Sequence, residues 1–209
     1  MAEETVDRAR DDLLNRLVRW FDGVQRRRLG IWEFSQEPDC IFRLGRGHMH
    51  QTITFPDGTT VAEGAPVAIL HVWGERMPPI PPEGADLAWA RGLRADILFS
   101  LRLIARAMME DPRLADVEAL GNDTNLPVAA GGVRMFERLG FTFFAPLERR
   151  TPVERIVGWG AHTWAWLLRR AYNQKSAERW SPSDFVTRPM WIGRRALLER
   201  YLEETPARR

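Results

Sequence analysis

The period of the apolar residues changes several times along the chain, and each change marks an element. Val6, Leu13, Leu17, Trp20, Phe21 and Val24 recur at three- and four-residue steps. They predict a helix over 3–29 that Gly30 stops. From Cys40 to Phe55 the pattern is strand-like, and Asp57-Gly58 between Ile53 and Val61 is a hairpin signal. Pro66 opens a short, β-branched apolar run over 67–73 that predicts a buried central strand. The prolines over 77–82 lack a donor and fix φ, which predicts a stiff extended loop. A long helix over 84–109 follows, with Leu87, Ala90, Ile97, Leu101, Ile104, Ala105 and Met108 inward, ended by Asp111-Pro112. A strand over 117–120, a loop over 121–125, a helix over 128–138 capped by Gly140 and a strand over 141–144 complete the run.

Strand, long helix, strand, helix, strand is a βαβαβ order, so part of the sheet should be parallel. After Pro152, Ile156, Gly160, Trp164, Leu167, Leu168 and Ala171 form a helical stripe, with Trp159 and Trp166 on neighbouring faces. Residues 173–192, with Pro182 and Pro189, read as a loop over the surface. The expected organisation is an α/β domain over 1–150, including the N-terminal helix, with a helical Trp-rich extension over 151–209 packed on it.

Composition changes this picture in few places. Nine tryptophans beside two tyrosines raise the weight of the 153–172 helix. That helix can pack on the core, form a homodimer contact, or make a peripheral contact with a membrane surface through its tryptophans, Arg169 and Arg170. A net charge of +2 is too slight to argue for nucleic acid. The one cysteine, Cys40, excludes an internal disulfide and reads as a buried core thiol. The opening MAEETVDRARDD has no apolar signal region, and no apolar run is long enough to span a bilayer, so a cytoplasmic protein is expected.

The segment Arg134-Met135-Phe136-Glu137-Arg138-Leu139-Gly140-Phe141 resembles the late helix-and-strand corner of GNAT acyltransferases. The element order over 66–145 is similar as well: a central strand, a long helix, a strand ending in an Asn-containing loop, then the corner. The resemblance implies a GNAT-like mixed central sheet flanked by helices and an acyl-CoA cofactor whose pyrophosphate sits at the start of the long helix. The stretch from Asp57-Gly58-Thr59 through Gly64, Leu70-His71 and Trp73 is similar to a poorly characterised bacterial family often described as polysaccharide-deacetylase-related. Deacetylase chemistry of that kind needs an early acidic pair and a His-containing metal motif, and no residues here have that spacing.

The family's phosphate motif falls on the register Arg91-Gly92-Leu93-Arg94-Ala95-Asp96, where Arg94 and Asp96 replace small residues. Arg91 and Arg94 can substitute by forked hydrogen bonds to a phosphate, or can form structural salt bridges. Phe136 stands where the family carries a tyrosine general acid, and a phenyl ring delivers no proton. His71 and Glu75 share one side of an extended chain and are the candidate bases, with a satisfied core histidine the alternative for His71. Asn125, with Asp123, is placed to position cofactor or substrate, although turn chemistry explains both equally well. His48 and His50 alternate to one face without a clear third ligand, so no metal is expected. Three functions follow: an acyl-CoA-dependent transferase with an altered site, a non-catalytic module that binds a phosphorylated or lipid-linked cell-envelope precursor in the same cleft, or a purely structural subunit whose tryptophans form an obligate interface.

Overall fold

The computed structural model describes residues 20, 23–24, 26–79, 81, 86–127, 132–145, 163, 167 and 185–202. Seven strands run through it: β1 (Phe42–His48), β2 (Ile53–Thr54), β3 (Thr60–Val61), β4 (Pro66–Val72), β5 (Ala119–Pro127), β6 (Thr142–Phe143) and β7 (Phe185–Gly193). The helices are α1 (Leu87–Glu110), α2 (Gly132–Arg138) and α3 (Arg194–Leu202). Strands β1-β4-β5-β7-β6 form one mixed sheet, and β2 and β3 pair in a separate hairpin. Among the described strands only β4 and β5 are parallel, as the crossover through α1 requires. The chain is therefore α/β with a mixed central sheet whose described helices pack on one face.

Alternation along the strands gives the sheet two covered faces. On one, Phe42, Leu44, Ala68, Leu70, Leu120 and Ile192 pack on Ile97, Leu101, Ile104 and Met108 of α1 and on Leu197 and Tyr201 of α3. Each Leu, Ile, Met or Phe among them contributes roughly 1.5–3 kcal/mol when fully buried. Ser100 interrupts that apolar helix face and is fully satisfied: its hydroxyl donates to the Asp96 carbonyl at 2.7 Å and accepts from the Ile41 amide at 3.0 Å. On the other face, Val67, Ala119 and Trp191 lie under Met49, Ile53, Phe55 and Val61 from the hairpin and its approach. Gly58, with φ 82°, makes the predicted hairpin turn.

Two helix ends close with the same device. Ile31 N–H reaches the Arg26 carbonyl at 3.0 Å and Gly30 N–H the Arg27 carbonyl at 3.3 Å, with Gly30 at φ 62°. Phe141 N–H reaches the Phe136 carbonyl and Gly140 N–H the Glu137 carbonyl, both at 3.0 Å, with Gly140 at φ 92°. Both are Schellman closures, which need a left-handed residue and therefore favour glycine. At the second, the Phe136 and Phe141 rings meet edge to face at 5.6 Å, the apolar contact that accompanies this motif. Arg200 then donates to the Arg138 carbonyl and Tyr201 to the Leu139 carbonyl, so α3 satisfies the remaining acceptors at the end of α2.

Three expectations need correction. Residues 121–125, read as a loop, are strand: β5 runs to Pro127 and pairs with β7 over nine residues, Ala119↔Gly193 through Pro127↔Phe185. Residues 185–192, read as surface loop, form most of β7, which lies between β5 and β6 inside the sheet. Long-range pairing overrides the turn propensity of Asn, Asp and Pro here. Gly121 makes the pairing possible, because a Cβ there would stand 2.1 Å from the Met190 carbonyl oxygen and 2.6 Å from the Trp191 ring. The sheet thus draws strands from both sides of residue 150. The third correction is at α1, which starts at Leu87 with Asp86 as its N-cap, its carboxylate accepting from Trp89 N–H at 2.7 Å. Of the N-terminal helix, Trp20, Gly23, Val24 and residues 26–28 are described and helical. The Trp-rich segment over 153–172 lies outside the described residues apart from Thr163 and Leu167.

Candidate functional site

Among the described residues the sheet opens between β4 and β5. Strand β4 pairs with β5 at Val67↔Ala119, Ala68↔Leu120 and Ile69↔Gly121 and then stops, although β4 continues to Val72 and β5 to Pro127. Past Ile69 the two strands part, while each keeps its other neighbour: β4 stays on β1 up to Phe42↔Val72, and β5 stays on β7. Backbone groups of successive strand residues turn to alternate sides. Trp73 N–H bonds the Ile41 carbonyl on the β1 side at 2.8 Å, so the N–H and C=O of Val72 turn toward β5, which offers no ladder partner there. The Val72 side chain is 59% exposed at this point. Among the described residues one polar side chain bridges the gap: Asn122 Nδ2 donates to the Leu70 carbonyl at 3.0 Å.

The predicted site residues distribute around this opening without assembling in it. His71 lies on β4 opposite Arg43, and its Nε2 sits 3.1 Å from where a Cβ on Gly45 would be. The imidazole is therefore laid over β1, on the side of β4 away from β5. Part of the residue remains accessible, but burial of the ring lowers its pKa from 6.5 to about 4, so it is neutral at physiological pH and a weak base.

Glu75 lies in a 3-10 turn, Gly74–Arg76, directly after the strand. Its carboxylate pairs with Arg43 at 3.3 Å and Arg26 at 3.4 Å. Among the described residues no hydrogen bond or ion pair joins His71 to Glu75. The partner that sequence reasoning missed is Arg43, whose side chain is 7% exposed. A charge so buried needs compensation. It is supplied by Glu33 at 3.1 Å, by Glu75, and by the Trp73 ring 4.0 Å from the guanidinium carbon. Arg76 covers the Trp73 ring too, at 3.5 Å, so the indole lies against two guanidinium groups. Alternation puts Arg43 on the face opposite Phe42 and Leu44, and its acidic partners lie 10 and 32 residues away in sequence.

Arg91 and Arg94 are both exposed on α1. The amides of 91–96 belong to the helix's own ladder, since α1 begins four residues before Arg91, so they cannot cradle a phosphate. At the true N-terminus the Asp86 carboxylate already takes the Trp89 N–H, and a second anion there meets its charge. Asn125 lies on β5 opposite Thr187, and its side chain is outside the described residues. Phe136, standing in the place of the expected acid, is committed to Phe141 in the corner. Cys40 is buried, donates to the Phe42 carbonyl at 3.5 Å, and has its pKa raised by burial, as an inert core thiol should. Among the described residues no three His, Cys, Asp or Glu side chains group as metal ligands, and no helix is long and apolar enough to cross a membrane.

A depression of about 440 Å³ lies elsewhere, at the far edge of the sheet between Phe55, Asp57, Gly140, Ile192, Gly193 and Arg200. Its charges are engaged: Arg195 approaches Asp57 at 3.7 Å and Glu199 at 3.3 Å, and Arg200 donates to the Arg138 carbonyl. No protein-family model, curated protein or solved structure matches this chain.

Proposed function

We propose that the chain is a GNAT-like module that receives an extended, amide-bearing arm of the acyl-CoA type in the opening between β4 and β5, and that it binds this ligand without transferring its acyl group. The observation that carries the reading is the ladder of three pairs: β4 and β5 part after Ile69↔Gly121, with the Val72 backbone turned into the gap. Unpaired strand groups of this kind take main-chain-like hydrogen bonds from an extended partner. The order of central strand, long helix, strand and Leu139-Gly140-Phe141 corner supports the GNAT-like assignment. The absence of transfer is argued from the groups that would have to perform it. Glu75 is held between two arginines, the His71 ring lies over β1, and Phe136 has no proton to give.

Acyl transfer is the second reading, favoured by one observation. The neutral His71 imidazole sits on β4 two residues past the last rung at Ile69 and can accept a proton through water.

Calorimetric titration with acetyl-CoA and with pantetheine tests the first reading. Both ligands should bind, and pantetheine should retain most of the affinity, because the described residues provide no phosphate cradle. Absence of heat with both ligands sinks the proposal. Release of free thiol from acetyl-CoA in the presence of amine acceptors, abolished in His71→Gln, would move the assignment to the transferase.

A further inference from the structure

Leu70 is where the sheet would have gained its next β4–β5 rung. A continued parallel ladder would bring a β5 backbone N–H to the Leu70 carbonyl, and the pairing ends at the residue before it. The Asn122 carboxamide supplies that donor instead, at 3.0 Å. Asn122 stays fixed in β5 by its own pairing with Met190 on the far side, so its side chain is anchored to the strand that it ties to β4. With Nδ2 committed, the carboxamide plane is set, and Oδ1 accepts no hydrogen bond from the described residues. The side chain is half-buried and solvent still reaches it. Leu70 and Asn122 thus present a closed floor carrying one oriented acceptor, and Val72 presents the unpaired strand edge just beyond.

We infer that Asn122 is a latch and positioning residue: it fixes the point at which β4 and β5 part, and it offers Oδ1 to an N–H group of whatever extended ligand enters the opening. The positioning half of this inference rests on the ligand reading above, and the latch half does not. An amide carries the N–H that Oδ1 needs and an ester lacks it, so Asn122 selects amide-bearing arms.

Hydrogen exchange of the full chain, followed by mass spectrometry or NMR, reads the latch without any ligand. Asn122→Ala and the isosteric Asn122→Asp, which cannot donate to a carbonyl when ionised, should both raise exchange in segments 67–72 and 119–122 by about threefold to tenfold. Exchange in the hairpin over 53–61 should stay unchanged. Wild-type exchange in either variant would overturn the latch. Titration with pantetheine then reads the positioning role: affinity should fall by about threefold to tenfold in Asn122→Ala. Equal affinity of wild type and Asn122→Ala for pantetheine would overturn the positioning role. If wild type binds no pantetheine while exchange still rises in both variants, the acyl-CoA-type reading and the positioning role fall together and the latch stands.

Discussion

Replacing Arg194 should show how much the junction between β7 and α3 contributes to holding the domain together. The guanidinium donates to three carbonyls on a different part of the chain: Met108 at 2.6 Å, Leu114 at 2.6 Å and Val117 at 3.2 Å. Met108 is the critical acceptor. In a continuing helix its carbonyl would be met by the N–H four residues on, but that residue is Pro112, which has none. Leu114 retains a second donor in Val117 N–H at 3.3 Å. A hydrogen bond from a charged donor contributes about 1.5–3 kcal/mol, and Arg194 is half-buried, which places these bonds at the lower end. About 1.5 kcal/mol for the Met108 bond and about half that for each of the others gives about 3 kcal/mol lost in Arg194→Met. For a chain of this size that corresponds to a fall in Tm of about 6–12 °C. Arg194→Lys places a single ammonium in the same region without the fork and should recover about half. Urea unfolding followed by tryptophan fluorescence measures all three proteins. A loss under about 0.5 kcal/mol in Arg194→Met, with an unchanged slope, would refute the reasoning.

Two further outcomes follow from local geometry. Gly140→Ala forces a Cβ into a left-handed position 3.2 Å from Ile192 Cδ1 and should destabilise by about 1–2 kcal/mol, whereas Gly92→Ala, inside α1 with open space, should stabilise by up to about 1 kcal/mol. Thermal melts that rank these two variants the other way would contradict the assigned corner. For His71, the folded pKa of about 4 lies below the ordinary 6.5, so the unfolded chain binds the extra proton between those values. Stability should therefore fall by up to about 3 kcal/mol as pH drops from 6.5 to 4, with no contribution above 6.5. His71→Gln should flatten that window, and an unaltered pH profile would mean the ring takes up its proton without leaving its place over Gly45.

Legibility in the sequence followed the range of the interactions. The hairpin at Asp57-Gly58, the long helix and the Gly140 corner rest on contacts within a few residues, the strand over 66–72 shows itself by its β-branched apolar run, and each appeared near its expected position. The second half of β5 and the whole of β7 did not, because Gly121, Asn122 and Pro189 carry loop propensity that only their mutual pairing reverses. Asn122 was hidden for the same reason: as a turn residue it meant nothing, and it acquires a role only when Leu70, 52 positions earlier, lies beside it. For Arg91 and Arg94 the sequence left a phosphate fork and structural salt bridges open, and the structure adds that both are exposed on α1, four and seven residues past its start at Leu87.

Their exposure changes what kind of binding the opening should show, and it leads to a measurement. Among the described groups, those turned into the opening are uncharged: the Val72 backbone and the Asn122 carboxamide. The nearby charges are already paired, Arg43 with Glu33 and Glu75, and Arg26 with Glu75. Recognition through backbone amides depends on shape and donor pattern and is little screened by salt, while recognition of a pyrophosphate by exposed arginines is strongly screened. Pantetheine affinity should therefore change less than about twofold between low salt and about 0.5 M NaCl, where the Debye length falls to a few ångström. Acetyl-CoA affinity should follow it closely, and Arg91→Ala with Arg94→Ala should leave both nearly unchanged. A steep loss of acetyl-CoA binding with salt, removed by the double substitution, would return the arginines to the site. It would also require that α1 present them to the ligand from its solvent face, because its own amides are spent in the helix.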